Sequence, residues 1–134
     1  MTGNDNAVLD CFIEETTERL DSVEAALLEL EDAKECDPDM VNSIFRDAHS
    51  IKAGANLLKL TVIEELSHKL ENVLEMIRRC ELEASEMVVT ACLEAVDKLR
   101  DLVESIERNE SMSIRLHCAM LEMSVKKTLE SQGE

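Results

Sequence analysis

Aromatic residues are almost missing from this chain. It has no Trp and no Tyr, and Phe12 and Phe45 are its two phenylalanines. Glycine occurs three times and proline once. An all-β domain leans on aromatic and β-branched residues and on turn glycines, so this composition excludes one. Long apolar runs are missing too: none approaches the roughly 18 residues that a membrane span needs. Positive charge is scarce, with 14 Lys and Arg against 30 Asp and Glu and a formal net charge of -16. That charge repels both the phosphate backbone of nucleic acid and anionic membrane surfaces, so neither is expected as a partner. It reads as a well-solvated surface. Met1 to Asn6 has no basic segment followed by an apolar one, so no secretory leader is expected.

Cysteine is present five times, as Cys11, Cys36, Cys80, Cys92 and Cys118, but in no C-x-x-C pair and in odd number. A disulfide framework and a zinc site are therefore not expected. Cys11 and Cys92 fall on apolar stripes and read as small core residues. A reducing cytoplasm is the expected location.

What the chain does have is helix. Ala, Leu, Glu, Lys, Met and Arg, all good helix formers, are abundant. Hydrophobic residues make up 45% of the 134 positions, enough for one domain spanning residues 1–134 with its own core. Leu9, Phe12, Ile13, Thr16, Leu20, Val23, Leu27 and Leu30 recur at spacings of three and four and predict a long helix over about 7–33, with Asn6 as N-cap. Asp37-Pro38 opens a second helix, capped by Asp37, that stops after Asn56 or Leu57. Thr61-Val62-Ile63-Glu64 reads as a capping box for a third helix reaching about Arg79. Ser85 caps a fourth, to about Arg108, and a fifth covers about 113–129.

Short connections between the first four stripes predict an all-α fold: an antiparallel up-down four-helix bundle over about 7–108, with an additional C-terminal fifth helix. The fifth helix can pack on the outside, cap the bundle or form a dimer contact. Met112, Leu116, Met120 and Met123 widen its apolar surface, so monomer and weak dimer both stay open.

The informative stretch is Phe45-Arg46-Asp47-Ala48-His49-Ser50-Ile51-Lys52-Ala53-Gly54-Ala55-Asn56. On a helix Phe45 and Ala48 turn inward, while His49 and Lys52, three apart, share a face that Ala53 and Asn56 continue. An imidazole beside an ammonium suits a phosphoryl group, and small neighbours let another protein come close. Gly54 in mid-helix costs about 1 kcal/mol relative to Ala, so it asks for a reason, of which close approach by a partner or a neighbouring helix is one. On the third helix His68 and Glu71 share a face, and can lie across from His49 if the two helices are antiparallel neighbours. A carboxylate accepting from Nδ1–H would fix the tautomer and leave Nε2 nucleophilic. A histidine beside a lysine on a helix is commonly plain solvated surface. His117, which has no comparable setting, is given no role. A metal site built from His49, His68 and a carboxylate lacks the Glu-x-x-His repeats or close His pairs of bundle metal sites, so no metal is expected.

The segment Ile44 to Ala55 closely resembles the phosphorylation motif of histidine-containing phosphotransfer (HPt) domains, above all the amino-terminal HPt domain of CheA-type chemotaxis histidine kinases. The resemblance extends back to Phe12-Ile13-Glu14-Glu15 and forward through Ser67-His68-Lys69-Leu70-Glu71-Asn72 and Arg78-Arg79-Cys80-Glu81, covering about residues 8–105. It implies that His49 is phosphorylated on Nε2, that Lys52 assists, and that Glu71 orients the ring with His68 in the same hydrogen-bonded group. It implies a kinase ATP-binding domain as donor and a response-regulator receiver domain as acceptor, with ATP and Mg²⁺ supplied by those partners and no cofactor bound here. By itself such a domain is a phosphocarrier and not an enzyme; its parent chain, if longer, is a histidine protein kinase. The family motif usually reads H-S-I-K-G-G-A-G. Here Ala53 stands for the first Gly of that run and Asn56 for the last, and Leu57-Leu58-Lys59-Leu60 lacks aromatics. Ala53, Gly54 and Asn56 thus become the expected partner-docking residues. A competing reading is a catalytically silent HPt-like adaptor that binds signalling partners through its fifth helix.

Overall fold

The computed structural model describes residues 3–33, 37–106 and 113–133. They form five helices: α1 (Gly3–Ala33), α2 (Pro38–Leu57), α3 (Thr61–Arg78), α4 (Glu86–Glu104) and α5 (Arg115–Gln132). No strand occurs among the described residues.

The first four helices form a ring of neighbours, with α1 against α2 and α4 and α3 against α2 and α4. Named contacts fix the directions. Arg19 on α1 bonds Asp47 on α2 at 3.3 Å, and Phe12 faces Gly54, so the two helices run antiparallel. Each helix turns its apolar stripe into one core: Leu20, Val23 and Leu27 from α1, Ile44 and Ile51 from α2, Leu66, Leu70 and Leu74 from α3, and Val88, Cys92, Val96 and Leu99 from α4. At 1.5 Å per residue α1 is about 46 Å long, while α2 is about 30 Å. The outermost stripe residues of α1, Leu9, Phe12 and Ile13, are accordingly only half-buried.

Helix α5 lies in the groove between α3 and α4. Its buried side presents Leu121, Ser124 and Thr128. Lys69 bonds Glu122 at 2.9 Å, and Gln132 accepts from the Glu83 backbone N–H at 2.7 Å, so α5 runs parallel to α3. The hydroxyls of Ser85 and Thr128, 2.7 Å apart, tie it to the start of α4. Leu116 and Met123 stay exposed, and Met112 lies outside the described residues.

The helix ends show where local rules hold. Asp37 Oδ1 accepts from Asp39 N–H at 3.0 Å with Pro38 opening α2, and Ser85 Oγ accepts from Val88 N–H at 3.2 Å. Two caps differ from expectation. The backbone is already helical from Gly3, so residue 6 lies inside α1 and does not cap it. The capping box at Thr61 does not form, because Leu60 is the N-cap and its carbonyl takes the Glu64 N–H at 2.9 Å. The cause is the preceding turn. Lys59 adopts a left-handed φ of 60°, and Leu60 N–H returns to the Ala55 carbonyl at 2.8 Å. One residue therefore ends α2 and starts α3. Helix α4 ends at Glu104, short of Arg108, which lies outside the described residues.

Cys92 is fully buried, and burial pushes its thiol up to about 12. Cys11 is not a core residue as expected. It sits nine residues before Leu20, about 180° around the helix, and its exposed Sγ donates to Glu15 at 3.1 Å. Cys36 lies outside the described residues. No helix among the described residues is long and apolar enough to cross a membrane.

Candidate functional site

The antiparallel packing of α2 on α3 brings His49 and Glu71 together from 22 residues apart. Nδ1 of His49 lies 2.5 Å from Glu71 Oε2, and Lys52 Nζ lies 2.6 Å from Oε1 of the same carboxylate. Both oxygens are thus engaged. An ionised carboxylate only accepts hydrogen bonds, so the proton of the neutral ring must sit on Nδ1. Nε2 is left with its lone pair, and it has no hydrogen bond among the described residues.

Burial raises the tendency of Glu71 to stay protonated, but the hydrogen bonds from Lys52 and His49 and their charge outweigh it. The carboxyl is held below its ordinary value. The His49 side chain is 57% exposed, whereas that of Glu71 is 8% exposed. The imidazole stands largely in solvent, and the carboxylate that holds its Nδ1 is inside. Such a ring is open to a second protein's surface.

The face beyond His49 carries Ala53 and Asn56, both exposed. Gly54 has a different partner. A Cβ built on it would stand 3.0 Å from Cδ1 and Cε1 of Phe12, so its missing side chain admits α1, and the close approach is by a neighbouring helix.

His68 does not join the hydrogen-bonded group. It is exposed and bonds none of His49, Lys52 or Glu71. Helical geometry gives the reason. Residue 68 is rotated about 60° from residue 71 toward solvent, while residue 67 is rotated about 40° the other way, toward the interface. Ser67 is the residue buried one turn before Glu71, fully so, and its hydroxyl has no partner. His117 is on α5, with a buried Nδ1 that also lacks one.

Two further contacts surround the ring. Phe45 lies nearly parallel to His49, with centroids 6.4 Å apart and planes at 20°. The Arg78 guanidinium sits 4.6 Å from the centroid of the Phe45 ring, over its face, and is fixed by Glu75 at 2.5 Å. The Arg78 hydrogen bond, with that of Arg79, holds the Glu75 carboxyl below its usual value. Sequence reasoning placed Phe45 inward and missed both Arg78 and Ser67. Only the antiparallel register of α2 on α3 joins Arg78 to Phe45, and no local spacing reports it. Among the described residues no group of three His, Cys, Asp or Glu is placed to hold a metal ion.

Comparison with known proteins gives a consistent set of likenesses. The family model of the Hpt domain matches residues 7–109. The chemotaxis protein CheA of Salmonella typhimurium is 32% identical over 126 residues, 92% of this chain and 18% of that protein. CheA of Bacillus subtilis is 38% identical over 101 residues, 75% of this chain and 15% of that protein. The chain therefore spans less than a fifth of the length of either relative. Two solved structures superpose well. The histidine phosphotransfer domain of CheA in solution gives a TM-score of 0.75 at 27% identity, covering 85% of this chain and 88% of that one. The phosphorylated P1 domain of CheA3 in complex with CheY6 from R. sphaeroides gives 0.79 at 24% identity, covering 91% and 98%.

Proposed function

We propose, starting from the fact that this chain belongs to the Hpt domain family, that His49 is its phosphoacceptor and that the domain is a phosphocarrier between two partner proteins. One observation carries the assignment: a buried carboxylate pins Nδ1 of an exposed imidazole at 2.5 Å and leaves Nε2 free.

The chemistry follows from that arrangement. The Nε2 lone pair attacks the γ-phosphorus of ATP held by a kinase ATP-binding domain. An N–P bond forms, the bond from phosphorus to the bridging oxygen breaks, and ADP leaves with the electron pair. Positive charge grows on the ring as Nε2 bonds, and Glu71 stabilises it through Nδ1–H. Lys52, three residues from His49, supplies a compact cation for the phosphoryl oxygens. In the second transfer an aspartate carboxylate of a receiver domain attacks the same phosphorus, the N–P bond breaks, and the pair returns to Nε2. ATP and Mg²⁺ belong to the partner domains. Ala53 and Asn56 lie where a partner surface would meet the ring.

The relatives are CheA proteins more than five times the length of the matched segment. This favours a parent chain that is a CheA-like histidine kinase working in the cytoplasm, with a CheY-type receiver as acceptor. The test is incubation with a CheA-type kinase catalytic region and labelled ATP. Acid-labile, alkali-stable label is expected on the wild-type protein and on His117→Gln, and none on His49→Gln. Label on His49→Gln at the wild-type rate refutes the assignment.

A further inference from the structure

In the resting geometry Lys52 is already committed. Its ammonium sits on Glu71 Oε1 at 2.6 Å, and it must turn away to hold a phosphoryl group on Nε2. A phosphoryl group brings about two negative charges against the single charge of Glu71, and the flexible lysine stem allows the move. Once Lys52 leaves, Oε1 of a side chain only 8% exposed has lost its donor. A buried charged acceptor without a donor is unfavourable, and the freed carboxylate would drift from Nδ1 when the ring most needs it.

Ser67 meets that need. It is fully buried, its hydroxyl has no hydrogen-bond partner, and it lies one turn before Glu71 on α3. Helical side chains lean back toward the N-terminus over the residue four positions earlier, and Ser67 holds that position relative to Glu71. Ser67 Oγ has no hydrogen-bond partner at rest, so a bond to Glu71 forms only as the released Oε1 swings toward it, with the hydroxyl hydrogen free to turn to meet it. Resting on the phosphocarrier reading, we propose that Ser67 is a positioning residue for the phosphorylated state: its hydroxyl donates to Glu71 Oε1 when Lys52 turns to the phosphoryl group. The buried hydroxyl that bonds nothing at rest is thus a reserve donor, used at one stage of the cycle. This arrangement keeps the Nδ1–H···Oε2 bond intact through both transfers.

The experiment compares the wild-type protein with Ser67→Ala, Ser67→Cys and Ser67→Thr, each unphosphorylated and phosphorylated on His49 by a CheA-type kinase region with ATP. Two quantities are read: solvent exchange of the His49 Nδ1–H proton by NMR, and the ATP–ADP equilibrium of the phosphorylated protein. At rest all four proteins should exchange alike, because Lys52 still holds Glu71. Phosphorylated Ser67→Ala and Ser67→Cys should exchange several-fold faster, and their equilibrium should shift about three- to tenfold toward the unphosphorylated form. Ser67→Thr should restore both. Cysteine keeps the volume and removes the strong donor, so a wild-type Cys variant beside a defective Ala variant means packing and overturns the proposal. So does Ser67→Ala that matches wild type when phosphorylated, or that exchanges equally fast in both states. If wild type takes no label on His49, the phosphocarrier reading fails first and separately.

Discussion

Nδ1 of His49 and Oε2 of Glu71 stand 2.5 Å apart across the α2–α3 interface, and they meet water differently, the imidazole 57% exposed and the carboxylate 8%. Such a pair gives orientation from inside and access from outside. Glu71→Ala should keep the bundle folded, because Lys52 and His49 both reach solvent when released, and a loss of about 1 kcal/mol is expected. Phosphoryl uptake should slow at least tenfold, which corresponds to about 1.36 kcal/mol of barrier. Circular dichroism and transfer rates on the same samples check both; wild-type rates in folded Glu71→Ala would remove Glu71 from the site.

The same carboxylate predicts a pH dependence. Burial raises its proton affinity, but Lys52 and His49 lower it further, so the folded value lies below the unfolded one. A depressed carboxyl stabilises the fold when ionised. That contribution is fully present above the unfolded range near pH 4.3, and is lost as pH falls through the lower folded value. The urea-midpoint gap between wild type and Glu71→Ala should therefore be flat from pH 7 to about 5 and narrow below that. A gap that widens in acid contradicts the assigned direction.

Helix class, the five segments and the core stripes were legible because each stripe repeats at helical spacing over several turns. Leu66, Leu70 and Leu74 could be placed inward without any tertiary knowledge, and they are buried. That His49, Lys52 and Glu71 could meet was legible for a related reason, since two share a helix face and the third needed only the antiparallel pairing of neighbouring helices; their roles were implied only by the likeness to the HPt motif. His68 was misplaced because residues three and four before or after Glu71 look alike in spacing but differ by about 100° in rotation. Only the packing of α3 into the bundle selects the buried one, and it selects Ser67. Thr61 failed as a cap because Lys59 turned left-handed, a choice no motif at residues 61–64 reports.

Gly54 and Phe12 form a second interlocked pair. A methyl at Gly54 would stand 3.0 Å from two ring carbons of Phe12. Gly54→Ala gains about 1 kcal/mol of helix propensity, but overpacking costs about 1–3 kcal/mol. A net loss of about 1 kcal/mol is expected, with the ring displaced. Denaturant midpoints of Gly54→Ala, Phe12→Leu and the double variant check this. The double variant should be more stable than the sum of the two single effects; strict additivity would show that the ring already has room.

Ser85 does two jobs with one oxygen: it caps α4 through Val88 N–H at 3.2 Å and meets Thr128 Oγ1 at 2.7 Å. Ser85→Ala removes the cap, worth about 1 kcal/mol, and strands a buried hydroxyl on α5. Hydrogen exchange should accelerate along 121–128 more than along 88–96. Equal acceleration in both would mean that α5 is held by other contacts.

Ala53 stands one turn after His49, exposed, where the HPt motif has glycine. No charged or polar group comes with its methyl, so it leaves the His49–Glu71–Lys52 chemistry untouched, but it can hold a flat partner surface slightly away. Ala53→Gly should thus act on transfer between proteins and not on reactivity toward a small phosphodonor, which needs no docking. The control matters because glycine also costs about 1 kcal/mol in a helix interior, and loosening of α2 would depress both reactions together. Uptake from phosphoramidate should stay at the wild-type rate. Transfer to a native receiver should fall several-fold, and transfer to a receiver from another chemotaxis system should rise. If both protein rates are unchanged in a folded Ala53→Gly variant, the methyl has no part in docking.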